Sequence, residues 1–517
     1  MGTFPKVIKL DFIIILAEVP GDARALQRVF EIKYICTQIK STPPACHSLF
    51  PCLRDWGATG LLVEWEDTFP YVRELRPAGG LSESAVSTGA PYSIQEATHI
   101  MDIAAECGLT VIPLVQTLGH MEFVLKYPEW AGLREMESLP SSMCPSHPEA
   151  LPLVQALLKQ VLALHRPAQL NYIHIGADEV WHMGLCSSCS RRALESKYGK
   201  AVLFLEHVTA VARFLKETHP HLKVIMWDDM LRNIDAQVMQ GYFYFIIEIF
   251  ASASYGISNI SEFELGSLVE PMVWHYQARE QFQIGAQHWE KYANVFPRVW
   301  AASAFKGATG SCQVLPVMKH HISNHEAWMN EIEQHGSKMQ KFMGIAFTGW
   351  SRYDHYATLC ELLPVGLPVL AACLRLWFSG GSRGAGSGGG PLEDQEFPGW
   401  QVLRGINVFL ALRERYRNLA YGDQVQTWLN QWQVQSRYTN PMQIQSLIPA
   451  INELLNEASS VEVYLKGYME QIFYPPTLDE WVGTNIAPMR SHLQQLKADT
   501  EFQLSMGCCI RGYKKIC

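Results

Sequence analysis

The chain has 517 residues and carries 42 Lys and Arg against 50 Asp and Glu, a formal charge of −8. That balance leaves no general basic field for nucleic acid or for an acidic membrane surface. Hydrophobic residues make up 48% of the chain and charged residues 18%, which excludes a fibrous, disordered or tail-like protein and points to several folded domains.

From about residue 5 to 375, short β-rich apolar runs alternate with helical patterns. Val7–Phe12 reads as a first strand, followed by Gly60–Glu64 and Thr110–Val115. Between the last two, Ser93-Ile94-Gln95-Glu96 is a capping box ahead of apolar Ala97, Ile100, Met101 and Ala104, closed by Gly108. Ser146-His147-Pro148-Glu149 repeats the pattern ahead of Leu151, Val154, Leu158, Val161 and Leu162. Further strands are expected at Tyr172–Gly176, Lys223–Trp227, Pro271–Trp274, Val299–Ala302 and Gly344–Thr348. Eight strands with interleaved helices define the α/β class and predict a (β/α)8 TIM barrel over residues 1–375.

Two stretches, 13–38 and 241–266, lack the turn chemistry of short loops and read as irregular insertions in that barrel. Residues 376–397 include SGGSRGAGSGGG and form a Gly/Ser-rich linker by composition. Residues 398–506 are helical in pattern throughout, a C-terminal helical module, and 507–517 reads as a tail. The apolar run Phe12–Ala17 is short and bounded by Asp11 and Glu18, so no secretory signal is read there. No stretch approaches the roughly 20 apolar residues of a membrane span.

Thirteen cysteines without a dense framework of spacings fit reduced thiols in a cytosol-like compartment. Cys186 and Cys189 form a C-x-x-C with His182 upstream. Zinc needs about four ligands and no second pair stands nearby in sequence, so an ordinary thiol pair is the expectation and no metal site is assigned.

The sharpest chemistry lies in His174-Ile175-Gly176-Ala177-Asp178-Glu179-Val180, at the end of an apolar strand. Barrel enzymes place their reactive groups at strand C-termini. Neighbouring residues of a regular strand face opposite ways, so two adjacent acids share a pocket only where the strand ends and the chain turns. An Asp–Glu pair also fits an ordinary acidic helix start. Other strand ends strengthen the functional reading: Glu64-Trp65-Glu66-Asp67, Gln116 through Glu122, Trp227-Asp228-Asp229, Trp274-His275-Tyr276, and Trp350 with Arg352, Tyr353 and Asp354. Aromatic faces stack on sugar C–H surfaces and carboxylates accept from sugar hydroxyls, so this pattern reads as a carbohydrate pocket.

These motifs resemble glycoside hydrolase family 20, the β-N-acetylhexosaminidases. His174, Gly176, Asp178 and Glu179 match the family's signature after the fourth barrel strand. Gly119-His120 matches the motif after the third, and Trp227-Asp228-Asp229 that after the fifth. Glu64–Tyr71, Ala301–Gly310 and Gly349–Pro364 are similar to one nucleocytoplasmic branch of the family that favours galactosaminides. The likeness spans about residues 5–375. It departs from the family at Lys9–Phe12, where many members carry an Arg, and at Ala301–Phe305, where members place a Tyr against the acetamide.

The resemblance implies an exo-acting, retaining hydrolase of terminal non-reducing GalNAc or GlcNAc, with no metal and no cofactor, in which the substrate's own acetamido oxygen attacks C1. Glu179 would be the acid and base, and Asp178 would hold the acetamide and stabilise its growing positive charge. His120 would support Glu179, Trp227, Trp274 and Trp350 would wall the sugar subsite, and Tyr276 would contact acetamide or hydroxyls. Asp67, Asp228 and Asp354 are lesser candidates for hydroxyl binding. The implied partner is a glycoconjugate with a terminal N-acetylhexosamine, without nucleic acid or membrane, in cytoplasm and nucleus, a homodimer being left open. Two other readings stand beside this one. One is a glycan-binding protein whose insertions have cost it turnover. The other is a two-carboxylate glycosidase using Glu64 or Glu122 with Glu179.

Overall fold

The computed structural model describes residues 16–17, 43–75, 91–166, 170–196, 198–234, 265–378 and 396–506. The chain divides into two compact units, Met1–Gln395 and Glu396–Cys517.

Among its described residues the first unit has ten strands: β1 (Leu16–Ala17), β2 (Gly60–Glu64), β3 (Thr110–Leu114), β4 (Arg134–Met136), β5 (Leu139–Met143), β6 (Tyr172–His174), β7 (Lys223–Trp227), β8 (Val269–Trp274), β9 (Arg298–Lys306) and β10 (Lys341–Gly349). Eight of them form one sheet in the order β1-β10-β9-β8-β7-β6-β3-β2, and β4 and β5 form a separate hairpin. From β2 to β10 every neighbouring pair in the large sheet is parallel. Parallel neighbours need crossover connections, and helices such as Ile94–Glu106, Ala150–Leu164, Ala201–Thr218 and Met318–His335 supply them. Strands covered on both faces must be apolar throughout, and Leu61, Leu62, Ile112, Ile173, Ile225, Val273, Ala301 and Ile345 are all buried. This is the (β/α)8 architecture.

The strand expected at Val7–Phe12 lies outside the described residues. The first position of the sheet is held by β1, which pairs antiparallel with β10 through Leu16↔Ala346 and Ala17↔Ile345. Of the two expected insertions, 13–15, 18–38 and 241–264 also lie outside the described residues, and Leu265–Leu268 forms a helical turn that leads directly into β8.

The Ser93 capping box forms as read, the side chain accepting from Glu96 N and Glu96 closing back on Ser93 N. The one read at Ser146 does not form. The helix begins at Ala150 with Glu149 at its N-cap and no side-chain cap, because Arg192 donates to Ser146 Oγ at 2.6 Å and draws it elsewhere.

The second unit is entirely helical among its described residues, with long helices Trp400–Ala420, Ile448–Met469 and Ala487–Met506. Gly405 lets the first approach the second closely: a Cβ there would stand 2.6 Å from Leu465 and 2.9 Å from Tyr464. Phe409 meets Trp481 edge-on at 5.3 Å in the core. The continuous pattern read over Pro441–Lys466 breaks at Ser446–Leu447, since Pro449 in the first turn of the next helix has no N–H to give to the carbonyl four residues before it. The linker core, 379–395, and the tail, 507–517, lie outside the described residues.

Candidate active site

The site grows from the way β6 ends. After His174 the backbone turns through positive φ at Gly176 (61°), Ala177 (67°) and Glu179 (46°). Ala and Glu in that region each cost on the order of 1 kcal/mol, so surrounding bonds must hold them there. Gln116 is the main brace: its Oε1 accepts from Ala177 N at 3.2 Å and its Nε2 donates to Asp178 Oδ1 at 3.1 Å. Gly176 N donates to His174 Nδ1 at 3.0 Å, Thr117 Oγ1 donates to Ile175 O at 2.8 Å, and Glu179 N donates to Asp229 Oδ2 at 2.9 Å. A side chain at Gly176 would collide with this brace, its Cβ falling 2.0 Å from Gln116 Oε1. The turn abolishes strand alternation, and both Asp178 and Glu179 line one cavity of about 280 Å³.

His120, itself at φ 52°, enters from the loop after β3. Its Nε2 lies 3.2 Å from Asp178 Oδ2 and 3.4 Å from Glu179 Oε2. Its ring stacks on His355 at 5.5 Å, and His355 Nε2 in turn lies 3.0 Å from Glu122 Oε2. Burial opposes the ionisation of Asp178, yet the charge and hydrogen bond of His120, with Gln116, outweigh it and hold this carboxyl below its ordinary range. Burial alone drives His174 down to about 3, so its imidazole is neutral and free to accept from Gly176 N.

The aromatic wall is continuous. Trp227 and Trp350 have ring centroids 6.4 Å apart, Tyr276 lies 6.1 Å from Trp350, and Trp274 stacks on Tyr276 at 5.2 Å. Trp350 is fixed through its backbone: Lys306 Nζ donates to Trp350 O at 2.7 Å, and a Cβ on Gly307 would stand 1.9 Å from that oxygen.

Of the residues singled out from sequence, Glu179, Asp178, His120, Trp227, Trp274, Tyr276, Trp350 and Asp354 all line the cavity. Asp354 also spends Oδ1 on the backbone N–H groups of Tyr356 and Ala357. Asp67 and Asp228 do not line it. Asp67 is paired with Lys126. Asp228 is fully buried and is a structural hub: Arg232 donates to both its oxygens, Tyr292 OH donates to Oδ2 at 3.1 Å, and Trp274 N donates to Oδ1 at 3.3 Å. Its neighbour Asp229 does not line the cavity either, but it bonds directly to two residues that do. Asp229 accepts from Glu179 N and, at 3.3 Å, from Trp274 Nε1. Burial, then the Asp178 charge, pushes its carboxyl up to about 7.

Gln116, His275, Gln277, Gly307, Ala308, Arg352 and Tyr353 complete the lining without having been assigned from sequence. Gln116 and Arg352 had a signal available, each being a polar residue two or three positions past the end of a barrel strand. Glu64 is buried, and neither Glu64 nor Glu122 lines the cavity. His120, Asp178 and Glu179, and likewise His120, Glu122 and His355, bring ligand-type atoms within 4.8 Å of one another.

The comparisons with known proteins agree on one family. The family model described as "Glycosyl hydrolase family 20, catalytic domain" matches residues 64–251. Hexosaminidase D of Homo sapiens is 35% identical over 500 residues, covering 91% of this chain and 94% of the relative. Hexosaminidase D of Bos taurus is 38% identical over 354 residues, covering 68% of this chain and 92% of the relative. Among solved structures, the β-N-acetylhexosaminidase of Bacteroides fragilis is similar at 15% identity and a TM-score of 0.43, covering 64% of this chain and 62% of that one. The chain belongs to glycosyl hydrolase family 20 and is a glycoside hydrolase.

Proposed function

We propose that this β-hexosaminidase removes terminal non-reducing GalNAc and GlcNAc from β-linked glycoconjugates by a substrate-assisted retaining mechanism, with galactosaminides preferred. The observation that carries the reading is the shared wall of Asp178 and Glu179, whose oxygens lie within 4.8 Å of one another around His120 Nε2. A nucleophile and an acid that flank a glycosidic bond approach it from different sides. Two acids adjacent on one turn suit a different division, in which one serves the leaving oxygen and the other serves a group of the substrate beside C1.

In that division Glu179 gives its proton to the departing glycosidic oxygen as the acetamido carbonyl oxygen attacks C1. The C1–oxygen bond breaks and a cyclic oxazolinium ion forms. Asp178, kept anionic by its environment, accepts from the acetamide N–H and opposes the positive charge that grows there. Glu179 then takes a proton from a water that opens the ring at C1, which returns the original configuration and recharges the acid. The Glu179 side chain is the more open of the two, 35% exposed against 12% for Asp178, as a group that must meet both an aglycone and water requires. The small cavity behind an aromatic cup supports exo action on one terminal sugar.

The test is hydrolysis of aryl β-N-acetylgalactosaminide and glucosaminide beside the matching aryl β-galactoside and glucoside. Cleavage of the acetamido sugars alone, faster for the galactosaminide, is the expected result. Equal cleavage of both kinds would replace substrate assistance with a protein nucleophile.

We further propose a cytoplasmic and nuclear location. None of the nine cysteines among the described residues is in a disulfide, which supports a reducing compartment. Imaging of the full chain carrying a fluorescent tag would test it, and a vesicular pattern would overturn it.

A further inference from the structure

We propose that Glu135, Cys144, Cys186 and Cys189 bind one zinc ion that fastens the His120 loop to the Glu179 loop. The sequence offers only the C-x-x-C of Cys186 and Cys189, half of a zinc site. The fold supplies the other half from the β4–β5 hairpin: Glu135 lies in β4, and Cys144 follows β5 directly. Ligand-type atoms of all four residues lie within 4.8 Å of one another.

The distances suit a metal better than a disulfide. Cys144 Sγ stands 3.4 Å from Cys186 Sγ and 3.5 Å from Cys189 Sγ. A disulfide needs about 2.05 Å, whereas the edge of a tetrahedron with ~2.3 Å Zn–S bonds is about 3.8 Å. A disulfide would also leave one thiol and the carboxylate unexplained. Glu135 is only 3% exposed. Its Oε1 accepts from Leu185 N at 2.6 Å and Cys186 N at 2.9 Å, while its Oε2 is buried and receives no hydrogen bond. A buried carboxylate grouped with three thiols, one of its oxygens accepting no hydrogen bond, calls for a cation. Thiolates select zinc over the hard divalent ions, and four ligands of this kind give the closed tetrahedral set of a structural site.

The surroundings support thiolate ligands. Cys186 caps the helix Ser187–Glu195, and its Sγ accepts from Cys189 N at 3.3 Å. Ser146 Oγ lies 2.9 Å from Cys189 Sγ and is held by Arg192. Three thiolates, one carboxylate and Zn²⁺ sum to two negative charges; the nearby Arg192 guanidinium, which holds Ser146, is itself paired with Glu206.

The position gives the ion a purpose. Met121 N donates to Ser141 O and Met143 N to Leu118 O, so the hairpin is stitched to the segment that carries His120. On the other side, Cys186 follows Glu179 along the same loop. One ion would therefore tie together the two segments whose side chains meet at His120 Nε2.

The test begins with metal analysis of the full chain purified without chelator. About one zinc per chain is expected. Exchange with Co²⁺ should give thiolate-to-cobalt charge-transfer absorption, and Cys144→Ser should remove part of it. Glu135→Gln keeps an oxygen for Leu185 N and Cys186 N but removes the charged ligand. It should fold, bind Zn²⁺ at least about tenfold more weakly, and be less thermally stable than the wild type when zinc is present but not when both are stripped of zinc. These readouts do not depend on glycosidase activity, so their failure is separable from failure of the proposed reaction. An active, folded chain without zinc that gives no cobalt spectrum would overturn the site. So would peptide mapping that finds Cys144 in a disulfide in that active chain.

Discussion

Asp229 Oδ2 accepts the backbone N–H of Glu179 at 2.9 Å, so a half-buried acid at the start of the helical turn after β7 holds the residue assigned as proton donor. The bond explains how Glu179 keeps its left-handed φ of 46°. It also places the Asp229 carboxyl against the backbone of the catalytic pair.

Asp229 has a carboxyl pushed up to about 7 by burial and by the Asp178 charge. A carboxyl whose folded value exceeds its ordinary one, about 3.9, contributes stability that is complete below the ordinary value. That contribution is lost as pH rises toward the folded value. Thermal unfolding of the wild type and of Asp229→Asn between pH 4 and 8 tests this. The melting temperature of Asp229→Asn minus that of the wild type should rise from pH 4 to about 7 and then level off. A difference independent of pH would show that Asp229 does not titrate in this window.

Replacing Glu179 with Gln should lower kcat for aryl substrates by about 10²–10⁴-fold, with KM little changed and the melting temperature within a few degrees. Aryl leaving groups of low pKa need little protonation, so they should recover part of the loss. An equal deficit for good and poor leaving groups would remove Glu179 from the acid role.

Asp178→Asn should also cost about 10²–10³-fold in kcat, because the anion beside the acetamide is lost where charge grows. Its deficit should not depend on the leaving group, which separates it from Glu179→Gln. A rise in KM with kcat unchanged would reduce Asp178 to a binding contact.

The barrel was legible because its signals are local. β2 and β7 fall on Gly60–Glu64 and Lys223–Trp227 as their apolar runs indicate, and the acids after β6 are marked by the motif itself. What escaped the sequence depends on side-chain direction or on distant partners. Strand periodicity stops at Trp227, where a helical turn begins, so nothing local says that Asp228 turns inward to Arg232 and Asp229 turns toward Glu179. Ser146 has a capping pattern, but its oxygen is taken by Arg192, 46 residues away. Cys144 and Glu135 join the C-x-x-C only because a hairpin after β3 folds back over the helix that follows β6.

The distinction between Asp228 and Asp229 yields a further prediction. Asp228 is buried, and Arg232 donates to both its oxygens. Asp228→Asn would leave the guanidinium, only 27% exposed, facing a neutral group. Breaking a buried pair by removing one partner costs about 3–5 kcal/mol, and partial exposure of Arg232 places this case toward the lower end. Urea denaturation should show that loss. The enzyme that remains folded in dilute urea-free buffer should keep a KM close to wild type, since no sugar hydroxyl reaches a carboxylate buried beneath Trp274. A stable variant with a KM raised tenfold or more would reverse the assignment and make Asp228 a contact to the substrate. The same pair of measurements on Asp229→Asn should give the opposite pattern at neutral pH: little loss of stability, and a fall in kcat because Glu179 is less firmly held.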